Sequence, residues 1–310
     1  MFRTTILILL ASVCLITSCK MDKQKNDAQM QQHSEQSFRA PEIPKNIDTP
    51  EKKADFIIRN YWQNFNFEDT TLVHRPQITE QAFADYVNIL RQVPLELAGD
   101  GVEIMMKKAD ANKAMFVCFA TLCEKYLYDP NSPVRNEELY LRALDNILAT
   151  KRLDDIHKER YKHQYKVALR NRVGHKATDL SYTLFSGKKG NLYSIKADFT
   201  LIYFNNPECN DCGVIMSNLA NSTVINDLLN KSKLKLLAFY PDEDLSVWNR
   251  HLGNYPSLWI NGHDSNGEMV KDKEIYDLKA IPSLYLLDAQ KNILLKDARF
   301  EEVEEYLKSI

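Results

Sequence analysis

The sequence has no excess of charge of either sign. It contains 40 lysine and arginine residues and 42 aspartate and glutamate residues, a formal net charge of −2 over 310 residues. Proteins that bind nucleic acid usually present a basic patch to the phosphates, and this chain offers no such footprint. It also has no glycine-rich nucleotide-binding fingerprint and no fixed internal repeat. We therefore expect no nucleic-acid partner, no nucleotide cofactor and no solenoid.

Cysteine and histidine are too few and too scattered to predict a metal site. Of the six cysteines, Cys209 and Cys212 are separated by two residues, and no second pair has this spacing. A structural zinc site takes four ligands, so this pair would need two more. His251 and His263 are expected in separate polar loops. We expect no metal and no other cofactor.

The apolar run near the amino terminus, residues 6–16, is too short to cross a bilayer comfortably. It follows Arg3 and has the length of a signal-peptide core. Its end, Leu15-Ile-Thr-Ser-Cys19, resembles the bacterial lipobox. The resemblance implies cleavage before Cys19 and lipidation of that cysteine, so residues 1–19 form a lipoprotein signal. An ordinary secretory signal and an uncleaved anchor are the alternatives.

Such a signal predicts where the protein works. We expect it in the cell envelope, lipid-anchored and facing the periplasm, because several acyl chains give stable anchoring. Disulfides persist in that compartment. Four cysteines remain in the mature chain beyond the lipidated one: Cys118, Cys123, Cys209 and Cys212.

The chain between the signal and residue 172 is expected to have two parts. Residues 20–50 are polar and have almost nothing that could form a core, which predicts a flexible tether. Over residues 51–172, apolar side chains recur at helical spacing, which predicts an all-α domain of six helices. We expect Thr79 to cap the second helix, and Ser132 with Pro133 to begin the fifth.

Cys118 and Cys123 lie five positions apart in the predicted fourth helix. Residues at this spacing point in different directions and are about 7.5 Å apart along the axis, so they should not form a disulfide with each other. We interpret them as core residues. The alternative is that one of them exchanges electrons with Cys209 and Cys212.

Residues 173–310 alternate between strand and helix patterns. The apolar run Thr200–Phe204 predicts a buried strand, followed by a turn, Cys209, Cys212 and a helical stripe. This order distinguishes a dithiol redox motif from a chance pair of cysteines. The free N–H groups and the dipole at the helix start stabilise a thiolate. We therefore expect Cys209 to attack a disulfide and Cys212 to resolve the mixed disulfide.

Residues 175–310 resemble the thioredoxin superfamily, specifically its TlpA/ResA-like membrane-tethered thiol–disulfide oxidoreductases. The matching features are a hairpin over residues 179–195, the C-x-x-C after a buried strand, and Ile281-Pro282 before a later strand. The resemblance implies a cis Pro282 that faces the dithiol. It also implies that Ile281 offers a backbone edge to an extended substrate segment.

A second resemblance covers residues 40–170. The stretch from Cys123 to Tyr140 is similar to a helical domain of unknown function that precedes thioredoxin-like domains in bacterial lipoproteins. That domain has no assigned chemistry. The expected fold is therefore an all-α helical domain followed, over residues 173–310, by an α/β thioredoxin-like domain.

The chain departs from the thioredoxin pattern around the dithiol. Glu208 stands where the family commonly has tryptophan, and residues 210–211 replace a proline that is frequent between the cysteines. Tyr203 occupies the position of the buried aspartate that shuttles protons in thioredoxin. Residues 214–216 lack the glutamate of ResA-like proteins. The proton relay of the family is therefore not carried over to this chain.

These departures favour a reducing or isomerising function. Glu208 and Asp211 should disfavour the Cys209 thiolate by repulsion between like charges. The expected substrates are the thiols and disulfides of exported proteins. Because no nucleotide fingerprint is present, electrons are expected from another dithiol protein upstream. The alternative is a non-catalytic lipoprotein that uses the thioredoxin fold as a binding or envelope-structural module.

Overall fold

The computed structural model describes residues 38–264 and 275–310. Cys19, the signal segment and the first part of the predicted tether lie outside the described residues. The chain divides into two compact units, one ending at Leu153 and the other comprising Asp154–Ile310, with Asp129–Asn131 grouped with the second unit. The predicted domain limits stay predictions. The predicted fold class is confirmed, since a helical region is followed by a unit built on a mixed sheet.

The first unit is helical. Its described α-helices are α1 Pro50–Asn60, α2 Pro76–Leu90, α3 Leu95–Ala109, α4 Lys113–Cys123 and α5 Glu137–Ala149. Short 3₁₀ turns follow α1 and precede α2, and α4 continues into a π-helical turn over Glu124–Tyr128.

Aromatic rings form the core of this unit around Trp62, which is 1% exposed. The centroid of the Trp62 indole lies 5.2 Å from that of Phe119 and 5.3 Å from that of Tyr86, both in edge-to-face geometry. Phe38 stacks on the same indole at 5.6 Å, and Asn64 donates a hydrogen bond to the Arg39 carbonyl. The end of the predicted tether is therefore held against this core.

Two of the predicted helix starts are wrong. Helix α2 begins at Pro76, and the Thr79 hydroxyl, within the helix, donates to the Leu72 carbonyl at 2.8 Å. Helix α5 begins at Glu137, where the Asn136 side chain accepts the Leu139 N–H. In the first case the Thr79 hydroxyl bonds to a backbone carbonyl outside the helix, and in the second case another residue, Asn136, supplies the cap. A local sequence pattern does not reveal either partner.

The two cysteines of α4 differ in burial, since Cys118 is partly exposed and Cys123 belongs to the core. Cys123 is fully buried and its sulfur lies 3.8 Å from the Met106 sulfur. Burial raises the pKa of the Cys123 thiol and that of Cys118, and the carboxylate of Glu80 raises the latter further. A protonated buried thiol is a poor nucleophile, so these features favour the core interpretation for Cys123.

The second unit is built on a seven-stranded sheet with the order β2-β1-β5-β4-β3-β6-β7. The strands are β1 Ser181–Leu184, β2 Lys189–Asn191, β3 Phe199–Phe204, β4 Leu234–Tyr240, β5 Ile260–His263, β6 Ser283–Leu287 and β7 Ile293–Ala298. Its described α-helices are α6 Asp155–Ala168, α7 Asn210–Asn221, α8 Thr223–Asn230, α9 Leu245–Arg250 and α10 Phe300–Lys308.

Strand β3 is the central strand of the sheet. It pairs in parallel with β4 and antiparallel with β6, and its side chains from Thr200 to Phe204 are buried on both faces. Leu201 and Tyr203 pack against α7, α8 and α10, whereas Ile202 and Phe204 belong to the cluster on the opposite face. This accounts for the continuous apolar run, since each fully buried Leu or Ile side chain contributes about 1.5–3 kcal/mol.

A lysine is buried at the end of the sheet where β3 begins. Lys291, in the turn between β6 and β7, is 4% exposed and donates from Nζ to the Thr200 hydroxyl at 2.7 Å. Burial lowers the pKa of this ammonium group, and the charge of Lys196 lowers it further. Because the unfolded chain then binds the proton more tightly than the folded chain, stability should rise with pH up to about 10.4, the ordinary pKa of lysine.

We expect Lys291→Met to remove this rise. Urea unfolding of the reduced protein at several pH values between 7 and 10 measures the free energy of unfolding of both proteins. The native protein should gain stability relative to the variant as the pH increases. The variant also leaves the Thr200 hydroxyl unpaired, but this cost does not depend on pH and so does not alter the slope. The exposed Lys233→Met variant is the matched control. Parallel pH curves for native protein and Lys291→Met would contradict the prediction.

Candidate active site

Cys209 caps the amino terminus of α7. Its side chain accepts a hydrogen bond from the Cys212 N–H at 3.4 Å, and its carbonyl accepts one from the Gly213 N–H at 3.1 Å. The sulfur therefore lies at the end of the helix where unpaired N–H groups and the positive end of the dipole favour an anion. Cys209 is half-buried, whereas Cys212, one turn into the helix, is 1% exposed.

Asparagine side chains hold the turn between β3 and α7. Asn205 is 2% exposed and its amide donates to the Tyr203 carbonyl at 3.0 Å. Asn206 accepts the Glu208 N–H and donates to the Asp242 carboxylate at 2.8 Å. Asparagine is suited to this function because its side chain can replace a backbone group in a tight turn. The position of Cys209 is thus fixed by a turn with its own hydrogen bonds.

Ile281 and Pro282 lie at the same edge of the sheet as the dithiol. Phe204, the last residue of β3, pairs with Ser283, the first of β6, so the segment after β3 meets the segment before β6. The Ile281–Pro282 peptide bond is cis. The Cys209 sulfur lies 3.9 Å from the Ile281 carbonyl oxygen, although the two residues are 72 positions apart. The structure thus brings together Cys209, Cys212 and the Ile281–Pro282 segment.

The two thiols differ in environment. Burial raises the pKa of the Cys212 thiol to about 12, and the Cys209 thiol and the Asp211 carboxylate add to this effect. The N–H of Cys212, in contrast, is directed at the Cys209 sulfur. The half-buried Cys209 sulfur is therefore the more accessible of the two, and the Cys212 thiol would have to lose a proton before it could act as a nucleophile.

Two tyrosines lie beside Cys212, of which Tyr203 is buried and Tyr255 is partly buried. The Tyr203 hydroxyl donates to the Cys212 carbonyl at 2.6 Å, and the Tyr255 hydroxyl donates to the Asn205 side chain at 2.6 Å. Burial raises the pKa of both phenols, and the nearby Cys212 sulfur raises both further. Tyr203 thus occupies the position of the relay acid as a neutral hydrogen-bond donor. It positions the start of α7 rather than accepting a proton.

Glu208, directly before the dithiol, is part of an ion pair. Its Oε1 atom lies 2.9 Å from Nη2 of Arg250, the last residue of α9, and 3.8 Å from Nε2 of His251. His251 is therefore not isolated as expected. The expectation for His263 is also wrong, since it ends β5, is 7% exposed and lies against the Trp248 ring at 4.6 Å.

Sequence reasoning missed several residues of the site. Arg250, His251 and Tyr255 come from the segment after β4, which reaches the dithiol because β4 pairs in parallel with β3 and ends at the same edge. The parallel pairing of β3 with β4 could have indicated that the segment after β4 lies at this edge. The side chains themselves carry no recognisable local motif, and the hydrogen bond between Tyr255 and Asn205 depends on tertiary structure.

A strand, a tight turn, a cysteine-capped helix and a neighbouring cis-proline segment define the thioredoxin-like class of proteins. The chain belongs to the thioredoxin-like proteins. It is 44% identical to a thioredoxin-like protein from Bacteroides caccae of known structure, with a TM-score of 0.86. The match covers 88% of this chain and 98% of that one. Residues 18–171 match a domain of unknown function, DUF5106, as the second resemblance predicts.

Two further solved structures each match less than half of this chain. The C-terminal domain of an uncharacterized protein from Bacteroides fragilis is 47% identical over 44% of this chain and 98% of its own, with a TM-score of 0.44. The thioredoxin domain of a thiol-disulfide oxidoreductase from Bacteroides vulgatus is 17% identical over 44% of this chain and 96% of its own, with a TM-score of 0.40. No curated protein is significantly similar to the chain.

Across residues 38–264 and 275–310, no helix combines the length and apolar character needed to cross a bilayer. The same residues contain no group of three or more histidine, cysteine, aspartate or glutamate side chains that could hold a metal ion.

We expect the reactivity of Cys212 to follow its raised pKa. In a Cys209→Ser variant, the rate of alkylation of Cys212 by iodoacetamide should rise about tenfold per pH unit from pH 7 to 9 without a plateau, because only the thiolate reacts. Mass spectrometry of the alkylated peptide gives the rate. Cys209 in a Cys212→Ser variant is the comparison and should react faster at pH 7. A plateau for Cys212 below pH 9 would contradict the assignment.

Proposed function

We propose that this chain is a thiol–disulfide oxidoreductase that reduces or isomerises disulfides of exported proteins. The observation that carries the proposal is the placement of the Cys209 sulfur. It caps α7, accepts the Cys212 N–H and lies 3.9 Å from the Ile281 carbonyl. A helix N-terminus favours the thiolate, and the open backbone edge beside it suits an extended peptide.

In the proposed reaction, the Cys209 thiolate attacks one sulfur of the substrate disulfide. The substrate disulfide breaks, a mixed disulfide forms, and the departing substrate thiolate takes up a proton. Cys212 then loses its proton and attacks the Cys209 sulfur, which releases the second substrate thiolate. The substrate has gained two electrons, and Cys209 and Cys212 have formed a disulfide. Another dithiol protein must reduce this disulfide before the next cycle.

The substrate is held, in this proposal, by the segment before β6. Ile281 offers its backbone beside the nucleophile, and Pro282 begins the turn into the strand. An extended substrate segment could add to this edge by main-chain hydrogen bonds, which are largely independent of sequence. Such binding suits a protein that acts on many exported partners.

We expect the full-length protein to reduce insulin disulfides with dithiothreitol as electron donor. Cys209→Ser should lose this activity, and Cys212→Ser should accumulate mixed disulfides. Cys118→Ser, which removes a thiol from the helical unit, is the matched control and should retain the rate. Activity that survives Cys209→Ser would contradict the proposal and favour the non-catalytic binding module.

The reduction potential of the Cys209–Cys212 pair tests the direction of electron flow. A reversible two-electron couple well below about −120 mV, the value of the strong oxidant DsbA, would support reduction or isomerisation. A potential as high as that value would contradict it. If the pair forms no reversible couple, the enzymatic function itself is wrong.

We also propose that the protein is anchored in the cell envelope by a lipid on Cys19 and faces the periplasm. Cys19 lies outside the described residues, so this proposal rests on the lipobox-like segment before it. A thioether-linked lipid with further acyl chains would bind a membrane stably, at about 0.8 kcal/mol per buried methylene.

We expect Cys19→Ser to move the protein from the membrane fraction to the soluble fraction of fractionated cells. Cys14→Ser, which alters a cysteine within the apolar core of the signal, should stay in the membrane fraction. Mass spectrometry of the amino-terminal peptide should find lipid on Cys19 of the native protein. A native amino-terminal peptide that carries no lipid on Cys19 would contradict lipid anchoring.

A further inference from the structure

The carboxylate next to the nucleophile is held by two neighbouring residues. Oε1 of Glu208 lies 2.9 Å from Nη2 of Arg250 and 3.8 Å from Nε2 of His251. Both residues lie at the end of α9, a different element from the turn that carries Glu208. The same carboxylate oxygen thus faces two nitrogen groups of the α9 end.

Both ends of this arrangement are fixed by further contacts. The Glu208 N–H donates to Oδ1 of Asn206 at 2.9 Å, and Nδ2 of Asn206 donates to the Asp242 carboxylate. The Asn254 amide donates to Nδ1 of His251 at 3.2 Å, so the hydrogen of the neutral imidazole lies on Nε2, the nitrogen near Glu208. Nε2 of His251 lies 3.8 Å from the carboxylate oxygen, beyond hydrogen-bond distance, whereas Arg250 donates a hydrogen bond to the same oxygen.

The position of this carboxylate matters to Cys209. The hydrogen bonds of the Cys209 sulfur run to the Cys212 N–H and the Ile281 carbonyl. A carboxylate that turned toward this sulfur would oppose the thiolate, which is the reactive form. A unit charge about 8 Å from a thiol changes its protonation equilibrium by about 2.4-fold in water, and by more at a protein surface, where the effective dielectric constant is lower. Glu208 follows the turn immediately and is half-exposed, so only its side-chain contacts restrain it.

We propose that Arg250, with His251, is a positioning residue that keeps the Glu208 carboxylate away from the Cys209 sulfur. This inference rests on the proposed function, because it assumes that the Cys209 thiolate is the nucleophile. The ion pair thus preserves the thiolate that the helix terminus favours. Glu208 then has little effect on the thiolate fraction of Cys209 while Arg250 is present, and a larger effect when Arg250 is lost.

A double-mutant cycle on the full-length reduced protein tests this positioning. The variants are Glu208→Gln, Arg250→Gln and the two combined, and the readout is the pH dependence of Cys209 alkylation, followed on its peptide. We expect Arg250→Gln to lower the thiolate fraction of Cys209 at pH 7 about threefold. Glu208→Gln alone should change it less than twofold, and the combined variant should return to the native value. Arg250→Lys, which keeps the charge, should restore most of the thiolate.

The exposed ion pair between Asp227 and Lys231 is the matched control, with an Nζ–Oδ2 distance of 2.7 Å and similar exposure. Asp227→Asn and Lys231→Gln should leave the thiolate fraction of Cys209 unchanged. Additive effects of the Glu208 and Arg250 substitutions, or no effect of Arg250→Gln, would overturn the inference. A native protein whose dithiol forms no reversible couple would instead overturn the proposed function, so the two failures are distinguishable.

Discussion

The antiparallel pairing of β3 with β6 is the constraint on which the candidate site depends. Because Phe204 pairs with Ser283, the turn that leaves β3 and the segment that enters β6 meet at one edge of the sheet. This register places the Cys209 sulfur beside the Ile281 carbonyl across 72 positions of sequence. A shift by one residue would turn the buried side chains of β3 to the opposite face, so the core that stabilises the sheet also fixes the site.

Within this frame the two thiols have different environments for a physical reason. Cys209 caps the helix, so its sulfur receives an N–H group and is only half-buried. One turn later the chain has entered the core, where burial raises the pKa of the Cys212 thiol to about 12. The same helix therefore provides one half-buried sulfur that accepts a backbone N–H and one sulfur that is fully buried. No special sequence between the cysteines is needed for this difference.

Much of the fold could be predicted because its signals are local. The apolar run of β3, the C-x-x-C after it and the order of the elements all lie within short stretches of sequence. The starts of α2 and α5 could not, since Thr79 bonds to a carbonyl seven positions earlier and Asn136 supplies the cap of α5. The ion pair of Glu208 with Arg250 also escaped prediction, because it forms across 42 positions through the pairing of β3 with β4.

The hydrogen bond from Tyr203 to the Cys212 carbonyl has a consequence for proton movement. Its hydroxyl is already a donor, and burial raises the pKa of Tyr203, so it cannot take the proton that Cys212 must lose. Cys212 is also 1% exposed, which closes the core side to solvent. In the proposed reaction the proton of Cys212 would therefore pass toward the substrate thiolate at Cys209 and not to Tyr203. Deprotonation of Cys212 and protonation of the first leaving thiolate would then be one transfer.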